Sequence, residues 1–118
     1  MINGTHAVLF SRDPEAVRAY FRDVLGFASV DAGGGWLIFA LPPAELGVHP
    51  TGDAPSASLY LLCDDLAATM GELGARGAVF AGPVAEQEWG RVVMLALPDG
   101  GELGLYEPKH PTTTGARE

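Results

Sequence analysis

This chain has a single cysteine, few bases and no long apolar run, and each shortage removes a class of function. Cys63 stands alone, so an internal disulfide and a Cys-x-x-Cys site are both excluded, and a reducing cytoplasm is the natural setting. Seven Lys and Arg face 15 Asp and Glu, for a net charge of −8. Such a surface repels phosphate backbones, and no basic stripe interleaved with aromatics is present, so a nucleic-acid partner is not expected. No apolar stretch approaches the roughly 20 residues of a membrane helix, and Met1-Ile2-Asn3-Gly4 starts no signal peptide, so no membrane partner is expected either. Gly33-Gly34-Gly35 lacks the lysine and following helix of a phosphate loop. Ser11, Ser29 and Cys63 have no neighbouring base in sequence, which leaves nucleophilic catalysis unsupported.

What is present suits a folded core. The 118 residues are 47% hydrophobic and 19% charged, the size and balance of one domain spanning 1–118. The segment Ala40-Leu41-Pro42, followed by Glu45-Leu46-Gly47, recurs as Ala96-Leu97-Pro98, followed by Glu102-Leu103-Gly104. A last strand that echoes one at the midpoint marks two copies of one unit, whose facing walls are the expected binding site.

Each copy reads β-α-β-β-β. In the first, Thr5–Phe10 is an apolar strand, and Asp13-Pro14-Glu15 supplies an N-cap, a first-turn proline and a first-turn acid. Val17, Tyr20, Phe21, Val24 and Leu25 then recur at helical spacing, and Gly26 ends the helix. Phe27–Val30, Trp36–Leu41 and Leu46–His49 read as strands. In the second copy, Ser58–Cys63 is a strand, and Asp64 or Asp65 caps a helix carrying Leu66, Met70 and Leu73. Ala78–Ala81, Arg91–Leu97 and Glu102–Tyr106 are strands, with a strong turn at Pro98-Asp99-Gly100-Gly101. The modules run over about 4–50 and 56–108, and 109–118 is a tail that takes in His110.

This duplicated order resembles the vicinal oxygen chelate superfamily of glyoxalases, bleomycin-resistance proteins and extradiol dioxygenases. Phe21-Arg22-Asp23-Val24-Leu25-Gly26-Phe27 looks like its first helix and Leu-Gly-Phe exit, and Leu97-Pro98-Asp99-Gly100-Gly101 with Leu105-Tyr106-Glu107-Pro108 looks like its closing turn and strand. The resemblance implies an α+β fold in which two βαβββ modules form an open, eight-stranded, U-shaped sheet with helices outside. It also implies a homodimer, sometimes with exchanged modules, and a cleft between modules bordered by His6, Gly47, Ser58, Gly104 and Tyr106.

Metal-dependent relatives take one ligand from the first and one from the last strand of each module. Those positions fall here on His6, Gly47, Ser58 and Gly104, and only His6 is a usual ligand. No metal or other cofactor is therefore expected. A divalent Zn, Ni, Mn or Fe would need a shifted set of His6, Glu45, His49 and Glu102, and two residues along a strand is about 6.6–6.8 Å, far more than a coordination bond tolerates.

The remaining candidates keep two readings each. His6 is a general base or a satisfied cavity histidine. Gly47 and Gly104 enlarge the cleft or relieve packing where the sheet curves. Trp36 and Trp89 offer rings to a planar ligand or pack in a core or dimer interface, and Tyr60 and Tyr106 offer a hydroxyl on an aromatic wall or pack in the core. Glu45 and Glu102 are carboxylates for proton abstraction or solvated turn residues, and His49 sits at the pocket mouth. The expected function is a metal-free binder of a small aromatic or cationic molecule. The alternative is an enzyme (lyase, isomerase or dioxygenase) using a metal, or His6 as base with Tyr106 polarising a carbonyl.

Overall fold

The protein is described here from a computed structural model, which covers Met1 and residues 6–113. Helix α1, Pro14–Asp23, begins as the sequence dictates, with the Asp13 carboxylate accepting from Ala16 N at 3.3 Å and proline in the first turn. Gly26 takes a left-handed φ of 76°, which lets Phe27 N reach back to the Phe21 carbonyl at 3.1 Å. A two-stranded antiparallel hairpin follows, β1 (Ser29–Asp31) with β2 (Leu37–Phe39). The Asp31 carboxylate closes its turn by accepting from Gly33 N and Gly35 N.

The second half builds a complete βαβββ unit from β3 (Tyr60–Leu62), α2 (Leu66–Ala75), β4 (Val79–Gln87), β5 (Gly90–Ala96) and β6 (Glu102–Pro108). The sheet order is β3-β6-β5-β4, with β3 parallel to β6 and the other pairs antiparallel. The parallel pair is the one bridged by α2 and its neighbours, since two parallel strands need a long crossover.

Side chains alternate across this sheet. Leu103 and Leu105 of β6, with Val93 and Leu95 of β5, point to the helical side and are buried. They share one core with Val17, Tyr20 and Phe21 of α1 and with Leu66 and Leu73 of α2. Fully burying residues such as Leu66 and Leu95 contributes about 1.5–3 kcal/mol each. Tyr20 brings into this core a hydroxyl with no hydrogen-bond partner among the described residues, and burial pushes its phenol above the ordinary value. The halves are tied at the rim by Ser11, whose hydroxyl donates to Asp99 at 2.6 Å, and by Arg76, which donates to the Val24 carbonyl.

Three differences from the sequence expectation stand out. Among the described residues there are six strands in sheets of two and four, not one eight-stranded U. Residues 6–10 and 46–49, expected as strands, pair with nothing in the described chain, and Thr5 lies outside the described residues. Their apolar side chains stay in solvent, with Phe10 94%, Leu46 89% and Val48 87% exposed. A strand persists only where a neighbour accepts its backbone hydrogen bonds, and among the described residues no sheet edge meets these segments. Lastly, β4 runs to Gln87 rather than stopping at Ala81, because the Gly82-Pro83 break is absorbed as a bulge between Ala81 and Ala85. No helix among the described residues is long and apolar enough to cross a membrane.

Candidate functional site

The sheet face away from the helices carries the other half of the alternation. Gly104 and Tyr106 of β6 lie beside Met94 and Val92 of β5 and beside Tyr60 and Leu62 of β3. Two glycines shape this face. A Cβ at Gly104 would lie 2.2 Å from Tyr60 Cδ1, and one at Gly90 would lie 2.4 Å from Tyr106 Cε1. Each glycine is thus a bed on which an aromatic ring rests, and the space freed at Gly104 is filled by Tyr60 rather than left as cleft.

Tyr106 is the hub. Its ring meets Tyr60 edge-on at 5.9 Å and Trp89 edge-on at 5.1 Å, the geometry that ring quadrupoles favour. Its hydroxyl donates to the Trp89 carbonyl at 3.1 Å and also contacts His110 Nε2, and the His110 ring lies 5.7 Å from the Tyr106 ring. Only 9% of Tyr106 is exposed. Burial, with the nearby Glu45 carboxylate and then Tyr60, pushes its phenol above the ordinary range. It is therefore a neutral hydrogen-bonding group at neutral pH. Glu45, from the first half, accepts from Thr113 N at 3.0 Å and is half-buried.

The structure brings together only part of the sequence-read set. Trp89, Gly104 and Tyr106 meet on this wall, joined by Tyr60 and Glu45. Ser58 precedes β3 and is exposed, and Glu102 opens β6 opposite Ala96 and is exposed. His6 and His49 are exposed and lie outside both sheets. The His49 imidazole folds back toward Gly47, 3.4 Å from where a Cβ would be. Trp36 stands at the β1–β2 hairpin instead, 61% exposed, with the Arg18 guanidinium 4.9 Å above its ring. Beside it, Glu15, Arg18, Ala19, Arg22, Gly35 and Leu37 line a shallow surface depression of about 240 Å³.

His110 is the residue that sequence reasoning left out of the site. Its signal was faint: a histidine four residues beyond Tyr106, past the proline that ends β6.

The metal that the resemblance implies does not fit these residues. Of the four positions the resemblance assigns to it, Gly47 and Gly104 carry no side-chain donor, and Gly104 is roofed by the Tyr60 ring. Among the described residues no three His, Cys, Asp or Glu side chains gather as a ligand set, so His6, Glu45, His49 and Glu102 do not form one.

No protein-family model matches the chain, and no curated protein matches it. Solved structures do. TnmS3, an antibiotic binding protein from Streptomyces sp. CB03234, is 29% identical, with 92% of this chain and 100% of that chain covered and a TM-score of 0.61. A glyoxalase/bleomycin resistance protein/dioxygenase superfamily member from Sphaerobacter thermophilus DSM 20745 is 23% identical, with 89% and 97% covered and a TM-score of 0.59. UcmS2 is 17% identical, with 91% and 98% covered and a TM-score of 0.64. The fold is that of the glyoxalase/bleomycin resistance protein/dioxygenase superfamily, the vicinal oxygen chelate type that the sequence resembles.

Proposed function

We propose that this protein binds a small planar aromatic molecule, neutral or cationic, on the wall of Tyr60, Trp89 and Tyr106, without a metal. The observation that carries this reading is the wall itself: three rings packed edge to face on the helix-free side of the sheet, beside the Glu45 carboxylate. Rings offer a planar ligand dispersion and stacking, and a carboxylate in a chain of net charge −8 favours a cation. The likeness to an antibiotic binding protein supports the same reading. A lyase, isomerase or dioxygenase would need a metal for which the donors are wrong, or His6 as base, and His6 is exposed.

In this reading the protein is a cytoplasmic homodimer. The unpaired segments 6–10 and 46–49 meet a second copy, adding two strands to the six and completing the eight-stranded U-shaped sheet, and the 4–50 and 56–108 modules then face one another. Exposed apolar segments at unpaired backbone are the kind of surface that association covers.

Proflavine, a planar cationic fluorophore, tests the site. In a Trp36→Phe background it quenches Trp89 fluorescence with a Kd that is unchanged by EDTA or added nickel, and Trp89→Ala, followed by proflavine's own emission, weakens binding about tenfold, in line with the loss of one stacking ring. Binding that survives Trp89→Ala undiminished, or that needs the metal, sinks the reading.

A further inference from the structure

The last described residues, though largely exposed, are hydrogen-bonded back to the body of the protein. Past β6, Lys109 N donates to the Trp89 carbonyl at 2.9 Å, and Lys109 Nζ donates to Glu86 at 3.0 Å. The next residue lays its imidazole against Tyr106, and three residues later Thr113 N donates to Glu45 at 3.0 Å. Segment 109–113 is therefore pinned at both ends, to β4–β5 on one side and to the first half of the chain on the other. Between the pins His110 sits on the hub of the aromatic wall.

We propose that residues 109–113 form a strap over the wall and that His110 is the residue that admits or excludes a ligand there. The inference rests on the binding function proposed above and adds a selectivity residue to it.

Hydrogen-bond chemistry makes the strap able to lift. The Pro111 carbonyl, 2.7 Å from His110 Nδ1, can only accept, so Nδ1 carries the proton. In a neutral ring Nε2 is then an acceptor, and the Tyr106 hydroxyl proton has two acceptors, His110 Nε2 and the Trp89 carbonyl. When the strap is down the proton is shared between them. When it lifts, the proton stays with Trp89, and the buried phenol is never left without a partner. The movement therefore orphans no buried polar group. At the far pin the Glu45 carboxylate exchanges one amide for water at a half-buried site, and is then free to face a cationic ligand. Lys109 keeps its bonds to Glu86 and Trp89 and acts as the hinge.

The test uses the protein carrying 3-fluorotyrosine at its three tyrosines, with signals assigned by single Tyr→Phe variants and a soluble gadolinium chelate as the probe of exposure. Three variants are compared with the parent: a chain ending at Lys109, His110→Ala and Glu45→Ala, the last removing the acceptor for Thr113 N. The Tyr106 signal is expected to be protected in the parent and broadened in all three, while the core Tyr20 signal stays unchanged and reports that the fold is intact. Proflavine affinity is expected to rise about tenfold in the shortened chain, the factor for a strap closed about nine-tenths of the time. Equal protection of Tyr106 in every variant overturns the strap. Broadening of Tyr106 with proflavine affinity equal to the parent's overturns the gating role of His110. Broadening with no proflavine binding in any protein also overturns the gate, and it places the failure in the proposed binding function rather than in the strap.

Discussion

At position 104 a methyl group would sit 2.2 Å from Cδ1 of Tyr60, closer than any real carbon contact. Relief requires Tyr60 to leave its place against Tyr106, and overpacking of this kind costs about 1–3 kcal/mol. Gly104→Ala is expected to lower the urea midpoint accordingly. Combining it with Tyr60→Ala should cost less than the sum of the single changes, because the clash then has no partner. Strict additivity would show that Tyr60 does not lie on Gly104. The sequence marked Gly104 as unusual by its place in an echoed motif. It did not reveal that a ring from a parallel neighbour, 44 positions away in the chain, occupies the gap. That depends on the β3–β6 register, which no local pattern encodes. His110 was illegible for a similar reason: four residues past Tyr106 in sequence, it returns to Tyr106 only because Lys109 extends the pairing with Trp89.

Helix α2 shows how elements divide between local and distant causes. Asp65 caps it through Ala68 N at 3.1 Å, a signal readable in the sequence. Its first turn has no acid of its own, and the free amide of Leu66 is taken instead by the Glu107 carboxylate of β6 at 2.7 Å. Loss of the exposed Asp65 cap in Asp65→Ala is expected to cost about 1 kcal/mol. Glu107→Ala removes a part-buried bond to a charged acceptor and is expected to cost about 1.5–3 kcal/mol. Chemical denaturation of the two variants checks the ranking, and an equal or reversed order would mean that Glu107 is no cap. The start of helix α1 was legible, since Asp13, Pro14 and Glu15 are all local instructions, whereas its end falls at Asp23, short of the Val24 and Leu25 that continue its spacing. Strand β4 was only half legible, because Gly82 and Pro83 are breakers unless the partner strand tolerates a bulge, and β5 does.

For the molecule as a whole, the apolar residues left outside the core decide what to measure. Phe10, Leu46 and Val48 are almost fully exposed on segments that the sequence reads as strands yet that pair with nothing among the described residues. Sedimentation at micromolar concentration is expected to give a dimer, and Phe10→Asp with Leu46→Asp is expected to give a monomer in which α1 and the second module remain folded. A monomeric parent protein would remove the homodimer and, with it, the completed eight-stranded sheet. The sequence by itself determined the two helices, the Asp13 cap of α1, the order of the second βαβββ unit and the resemblance of the fold, because those follow from residue spacing, turn chemistry and motif. Only the tertiary structure decided which candidates meet: Tyr60, Trp89, Tyr106 and His110 converge on one sheet face, while Trp36 stands at the β1–β2 hairpin and His6 outside both sheets. Side-chain convergence is set by strand register and chain return, and these arise from contacts between residues far apart in the chain.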